Sequence, residues 1–154
     1  MKKLQFKIKI CATAQMVYET MLGLKNKSTF EDWTSAFNST STYEGNWQKN
    51  SKMLFIGFNE NGKKGGMVSK IIEHRPSEFI SIVHYGLIHE GVEIITGQQV
   101  KKWAGGYENY TFNEQRGITT VTVDMNAAED FIGFFNKTYP IALNQLKIIS
   151  ENLK

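Results

Sequence analysis

The chain contains one cysteine, Cys11, two prolines, Pro76 and Pro140, and arginine only at Arg75 and Arg116. A lone cysteine excludes an intramolecular disulfide and a thiolate metal cluster. Cys11 follows the alternating apolar residues of the first segment and reads as a small buried or edge residue rather than a nucleophile. No apolar run approaches the roughly 20 residues that cross a bilayer as a helix. With 18 basic residues against 15 acidic, the net charge is only +3, and lysine supplies nearly all the positive charge. That balance speaks against nucleic acid as a partner, because the planar guanidinium grips phosphates and bases where an ammonium is a point charge. Also missing are a G-x-S-x-G elbow, an H-E-x-x-H helix and a phosphate-cradling loop. The stretch "NENGKKGG" has glycines and lysines, but it opens a strand, so no helix N-terminus awaits an anion. No cofactor and no metal are expected.

The start, "MKKLQFKIKI", carries lysines as a signal peptide does, but further lysines interrupt any apolar core of one. It reads as a strand, and the chain is expected to be cytoplasmic with no membrane partner. The N-x-S/T sequons at Asn26, Asn38, Asn109 and Asn136 then never meet a glycosylation machinery.

What is present has a clear order. Leu4, Phe6, Ile8 and Ile10 alternate with polar residues, the mark of a half-buried strand. "TAQMVYETML" has helical spacing, with Thr13 as N-cap and Gly23 as its end. A second short helix runs through "STFEDWTSAF", where Ser28 and Glu31 make a capping-box pattern and Phe30, Trp33 and Phe37 share a face. Strands follow: "STSTYEGNW", "KMLFIGFN", then "MVSKIIEHRP" and "FISIVHYGLIHE" separated at Pro76 and Ser77. "GVEIITGQQVKKW" has no clear period and reads as a loop or partial helix, and "YENYTFNE" with "ITTVTVDMN" forms a last hairpin. No repeat or linker appears, so residues 1–154 are expected to form one domain.

A sheet of alternating strands cannot leave its apolar face wet, and two short helices are too small to cover it. The C-terminal segment must do so. Phe131, Phe135, Tyr139, Ala142, Leu143, Leu146, Ile149 and Leu153 form its stripe, with Ile132 and Phe134 off the main face. Pro140 costs about 3 kcal/mol inside a helix. It either kinks one long helix, letting it follow a curved sheet, or separates two helices at Tyr139, which α geometry disfavours before proline.

This order resembles the helix-grip fold of the START-like superfamily, also called SRPBCC, which includes birch-pollen-allergen-like proteins, lipid-transfer domains and polyketide cyclases. Within it the chain is most similar to the small bacterial proteins grouped with the C-terminal domain of heat-shock-chaperone ATPase activators. The resemblance is carried by "GNWQKNSKMLF" at 45–55, "GGMVSKIIEHRPSEFISIVHYG" at 65–86, "WAGGYENYTFNE" at 103–114, "GITTVTV" after it, and "TYPIALNQLK" at 138–147. It covers nearly the whole chain and departs at Asn50, where such proteins have glycine in the turn after the tryptophan. Asparagine tolerates left-handed geometry, so the turn is expected to be kept. The resemblance implies an α+β fold with a curved antiparallel sheet of six to seven strands. That sheet wraps a long kinked C-terminal helix, with two short helices after the first strand. It also implies a pocket between sheet and helix.

Three functions then compete. The first is binding of a small apolar or amphipathic molecule, for which Trp33, Phe37, Trp47, Phe55, Met67, Tyr110, Phe131, Phe135 and Tyr139 are candidate wall residues, with His84 and Glu108 as polar groups. Each aromatic taken singly reads as ordinary core. The second is cyclase- or hydratase-type proton transfer by His84 or Glu108, with Tyr85 or Tyr110 as an assisting group. His84 shares parity with Ile80 and Ile82, with Glu90 and Glu93 close in sequence; Glu108 shares parity with Tyr110 and Phe112. His84 and His89 are expected on opposite faces, and His74, beside a turn, is expected to be exposed. The third is a protein-interaction role with a chaperone or a second copy, through an exposed patch at Trp103 or Trp47 beside lysines.

Overall fold

A computed structural model describes residues 1–102 and 104–153. β1 (Lys2–Ile10) leads into α1 (Ala14–Leu22) and α2 (Lys27–Thr34), followed by β2 (Thr42–Gly45), β3 (Lys52–Phe58), β4 (Lys64–Arg75) and β5 (Phe79–His89). Next come β6 (Val92–Ile94), the single turn α3 (Gln98–Lys101), β7 (Gly106–Gln115), β8 (Ile118–Ala127) and α4 (Ile132–Leu153). The strands pair in the order β1-β8-β7-β5-β4-β3-β2, all antiparallel, and β6 pairs with the end of β5. This is the α+β helix-grip fold, an open sheet with one face closed by the long helix. Among the described residues the sheet has eight strands rather than six to seven. β6 accounts for the difference: it is too short to show a period in sequence, and its hairpin with β5 holds it in place.

Alternation places Leu4, Phe6, Ile8 and Ile10 toward the core, while Lys3, Lys7 and Lys9 point away along an edge strand, where lysine discourages pairing with other chains. Cys11, just past this strand, is exposed, and its N–H donates to Glu151; the edge placement holds and burial does not. Thr13 caps α1 by accepting from the Met16 N–H, and Gly23 ends it at a φ of 70°. α2 starts two residues earlier than the capping-box pattern implies. Its N-cap is Asn26, which accepts from the Ser28 N–H. Glu31 then lies too far along the helix to reach back, and it accepts from the Thr42 hydroxyl instead.

α4 is one helix, with Pro140 inside it and Tyr139 helical and buried. Tyr139, Ala142, Leu143 and Leu146 face the sheet, and the proline ring faces out. The apolar stripe is shorter than the sequence suggests: Phe131 and Leu153 are 52% and 55% exposed. Phe131 precedes α4 in a 3-10 turn, and Leu153 lies at the helix's far end. Thr138 and Ser150 are buried on the same helix. The turn at Asn50 is kept, with a φ of 70° and an N–H that donates to the Ile71 carbonyl.

Register shifts interrupt the β4–β5 ladder. Met67 pairs with Leu87 and Ser69 with His84, so β5 carries one extra residue between those pairs. Parity along β5 therefore changes after His84. Tyr85 joins Ile56, Val68 and Ile88 in a small cluster on the outer face, while Leu87 returns to the helix side.

Candidate functional site

Between sheet and α4 lies a cavity of about 640 Å³. α2 and the segment after it contribute Trp33 and Phe37; β3 and β4 contribute Phe55 and Met67; α4 contributes Phe135 and Tyr139. Phe131, Phe58 and Phe134 line it too, and their 39–52% exposure places them at the mouth. Trp47 does not reach the cavity. It is 5% exposed and packs against Phe30, Tyr43 and Phe55, with its indole N–H donating to the Leu22 carbonyl. Its burial also removes it as an exposed interaction patch, and Trp103 lies outside the described residues.

His84, Glu108 and Tyr110 come to the same wall. β5 and β7 are neighbours in register, Ile82 opposite Glu108, which brings His84 and Glu108 within reach of each other. His84 Nε2 lies 3.1 Å from Glu108 Oε1, and the two side chains are only 13% and 17% exposed. On its other side His84 Nδ1 meets the Ser69 hydroxyl at 2.6 Å. From α4 the Tyr139 hydroxyl donates to Glu108 Oε2. Four elements thus build one polar chain, Ser69–His84–Glu108–Tyr139, with the Tyr110 hydroxyl meeting that of Tyr139.

Burial, and then the charge of Glu108, push the hydroxyls of Tyr110 and Tyr139 well above the usual tyrosine range. Both therefore stay protonated as donors. A carboxylate only accepts, so His84 donates to Glu108 from Nε2; with the ring neutral, Nδ1 is then an acceptor and Ser69 donates to it. Ser69 is fully buried, so it orients the imidazole and has no route to attack a substrate.

Other placements differ from expectation. The carboxylate beside His84 is Glu108, not Glu90 or Glu93; Glu93 pairs with Lys52 at 2.7 Å. His89 lines the cavity with His84, because the extra residue in β5 returns it to the helix side. His74 is half-buried: Tyr18 bonds its Nε2 and the Trp47 carbonyl its Nδ1. Ser69 and Leu87 escaped sequence reasoning. Ser69 shares parity with Met67 and could have been found; Leu87 depends on the bulge. Among the described residues, no group of His, Cys, Asp and Glu could hold a metal ion, and no helix is long and apolar enough to cross a membrane.

No protein-family model matches the chain, and no curated protein matches it in sequence. Solved structures match its fold over nearly the whole length. Protein MLL2253 from Mesorhizobium loti is 8% identical with a TM-score of 0.72, covering 99% of each chain. The Aha1 dimer from Colwellia psychrerythraea is 19% identical with a TM-score of 0.69, covering 98% of this chain and 97% of that one. The di-domain ARO/CYC StfQ of the steffimycin biosynthetic pathway is 13% identical with a TM-score of 0.65 over 96% of this chain and 44% of its own. At such identities the likeness establishes the helix-grip fold alone; activity does not follow from it.

Proposed function

We propose that the protein binds a small apolar or amphipathic molecule in the cavity between the sheet and α4. One observation carries this: the space between the layers is open, at about 640 Å³, although aromatic side chains line it on several sides. Small-molecule sites span roughly 300–1,000 Å³ and pair an apolar lining with few convergent polar groups. His84 and Glu108 supply the polar group here. Native mass spectrometry of gently purified protein is expected to show a bound mass that leaves on denaturation, and the neutral dye Nile red is expected to bind the emptied protein. Leu87→Trp, which places an indole in the cavity, should weaken dye binding while the protein stays folded. Equal dye binding by wild type and variant, or none by either, would overturn the assignment.

A second reading, proton transfer of the cyclase or hydratase kind, is favoured by the His84–Glu108 contact at 3.1 Å on the cavity wall. Glu108 would be the proton acceptor and His84 its partner, with the aromatic walls shaping the substrate. It predicts turnover of a captured ligand that Glu108→Gln abolishes while binding persists; a ligand recovered unchanged after incubation refutes it.

A further inference from the structure

We infer that the polar end of the cavity's ligand is an ammonium or amine seated on Glu108, an inference that rests on the cavity being a binding site. The argument is a count of protons. Glu108 offers about four acceptor lone pairs, and His84 Nε2–H and the Tyr139 hydroxyl engage one each. The Tyr139 proton is committed to Glu108, the His84 Nε2 proton likewise, the Ser69 proton goes to His84 Nδ1, and the Tyr110 proton is left to the Tyr139 oxygen it meets. A charged imidazolium would reverse that last bond and leave the hydroxyl proton of fully buried Ser69 without an acceptor. With the ring neutral, the Glu108 carboxylate leaves the cluster one negative charge. Its unused capacity is for accepting hydrogen bonds.

A carboxylate, phosphate or sulfate end would meet acceptor against acceptor and charge against like charge. A hydroxyl satisfies the acceptors alone. An ammonium satisfies them and neutralises a carboxylate that is 17% exposed, where an uncompensated charge is costly. The basic side chains lining the cavity, Lys63 and Lys64, belong to the mouth: Lys63 is exposed and Lys64 pairs with Glu44.

The test compares three probes of one chain length, decylammonium, decanol and decanoate, below their micellar concentrations, by isothermal titration calorimetry against the emptied protein. Decylammonium is expected to bind about tenfold or more tighter than decanoate, the ratio of a hydrogen bond to a charged group, with decanol between them. The net charge of +3 works against this order, so nonspecific adsorption would produce the reverse. Glu108→Gln keeps the side chain's shape and is expected to erase the ammonium advantage, bringing decylammonium and decanol within about threefold of each other. Decanoate binding as tightly as decylammonium would sink the ammonium assignment and leave the cavity reading intact. Binding of none of the three would sink both. The wild-type comparison stands by itself should the variant not fold.

Discussion

Replacing Tyr139 by phenylalanine removes one oxygen from the centre of the site. The ring's contacts remain: it stacks on Phe6 at 4.9 Å and meets Phe37 edge-on at 4.9 Å. What is lost is the hydroxyl's hydrogen bond to Glu108, together with its contact to the Tyr110 hydroxyl. A bond to a charged acceptor contributes about 1.5–3 kcal/mol net, so the variant should be less stable by that amount. For a chain of this size it corresponds to a fall in Tm of roughly 3–12 °C. Denaturant titration gives the free energy directly. In a Glu108→Gln background the acceptor is neutral, and the same substitution should cost only about 0.5–1.5 kcal/mol, a coupling of about 1 kcal/mol between the positions. If Tyr139→Phe changes stability by less than about 0.5 kcal/mol, or costs the same in both backgrounds, the hydroxyl does not serve the carboxylate. The proton count behind the ammonium inference would then fail with it.

Other outcomes follow from the same packing. Leu146→Ala should cost about 2–5 kcal/mol, because the side chain is fully buried against the sheet, whereas Ile141→Ala, at 58% exposure on the opposite face, should stay within about 0.5 kcal/mol; both are read by denaturant titration. Gly66→Ala should prevent folding or cost more than about 3 kcal/mol, since an added Cβ would lie 1.9 Å from the Phe55 carbonyl oxygen at a φ of 141°; soluble yield and thermal melting test this. Tyr110 and Tyr139 hold their protons in the fold above the ordinary pKa of 10.0, so their contribution to stability is full below pH 10 and is lost as pH rises through 10 toward the raised values. The slope is about 1.4 kcal/mol per pH unit for each tyrosine, and Tyr110→Phe should flatten that limb of a stability–pH curve.

Local rules made much of this fold legible. Strand alternation, the cap at Thr13, the stop at Gly23 and the tolerant Asn50 each depend on a few neighbouring residues, and the structure keeps all of them. The inward parity of His84 with Ile80 and Ile82, and of Glu108 with Tyr110 and Phe112, belongs to the same level, because side chains alternate along an uninterrupted stretch of strand. Where local signals competed, the reading slipped. Asn26 and Ser28 both suit an N-cap, and the cap is Asn26, extended in backbone and accepting from the Ser28 N–H.

The rest was settled between elements. The extra residue of β5 exists only as a mismatch with β4, and it moved Leu87 and His89 to the cavity side. Trp47 and Phe55 look alike as aromatics, yet one fills the core beneath α2 and the other lines open space. The pairing of His84 with Glu108 rather than with a nearer glutamate needed the β5–β7 register, and the hydroxyl that completes it came from α4, 31 residues on from Glu108. Sequence pattern determines which side of an element is apolar, since that depends on the local period. Whether two apolar faces meet flush or leave a cavity depends on distances between elements far apart in the chain, and those are fixed only when the layers pack.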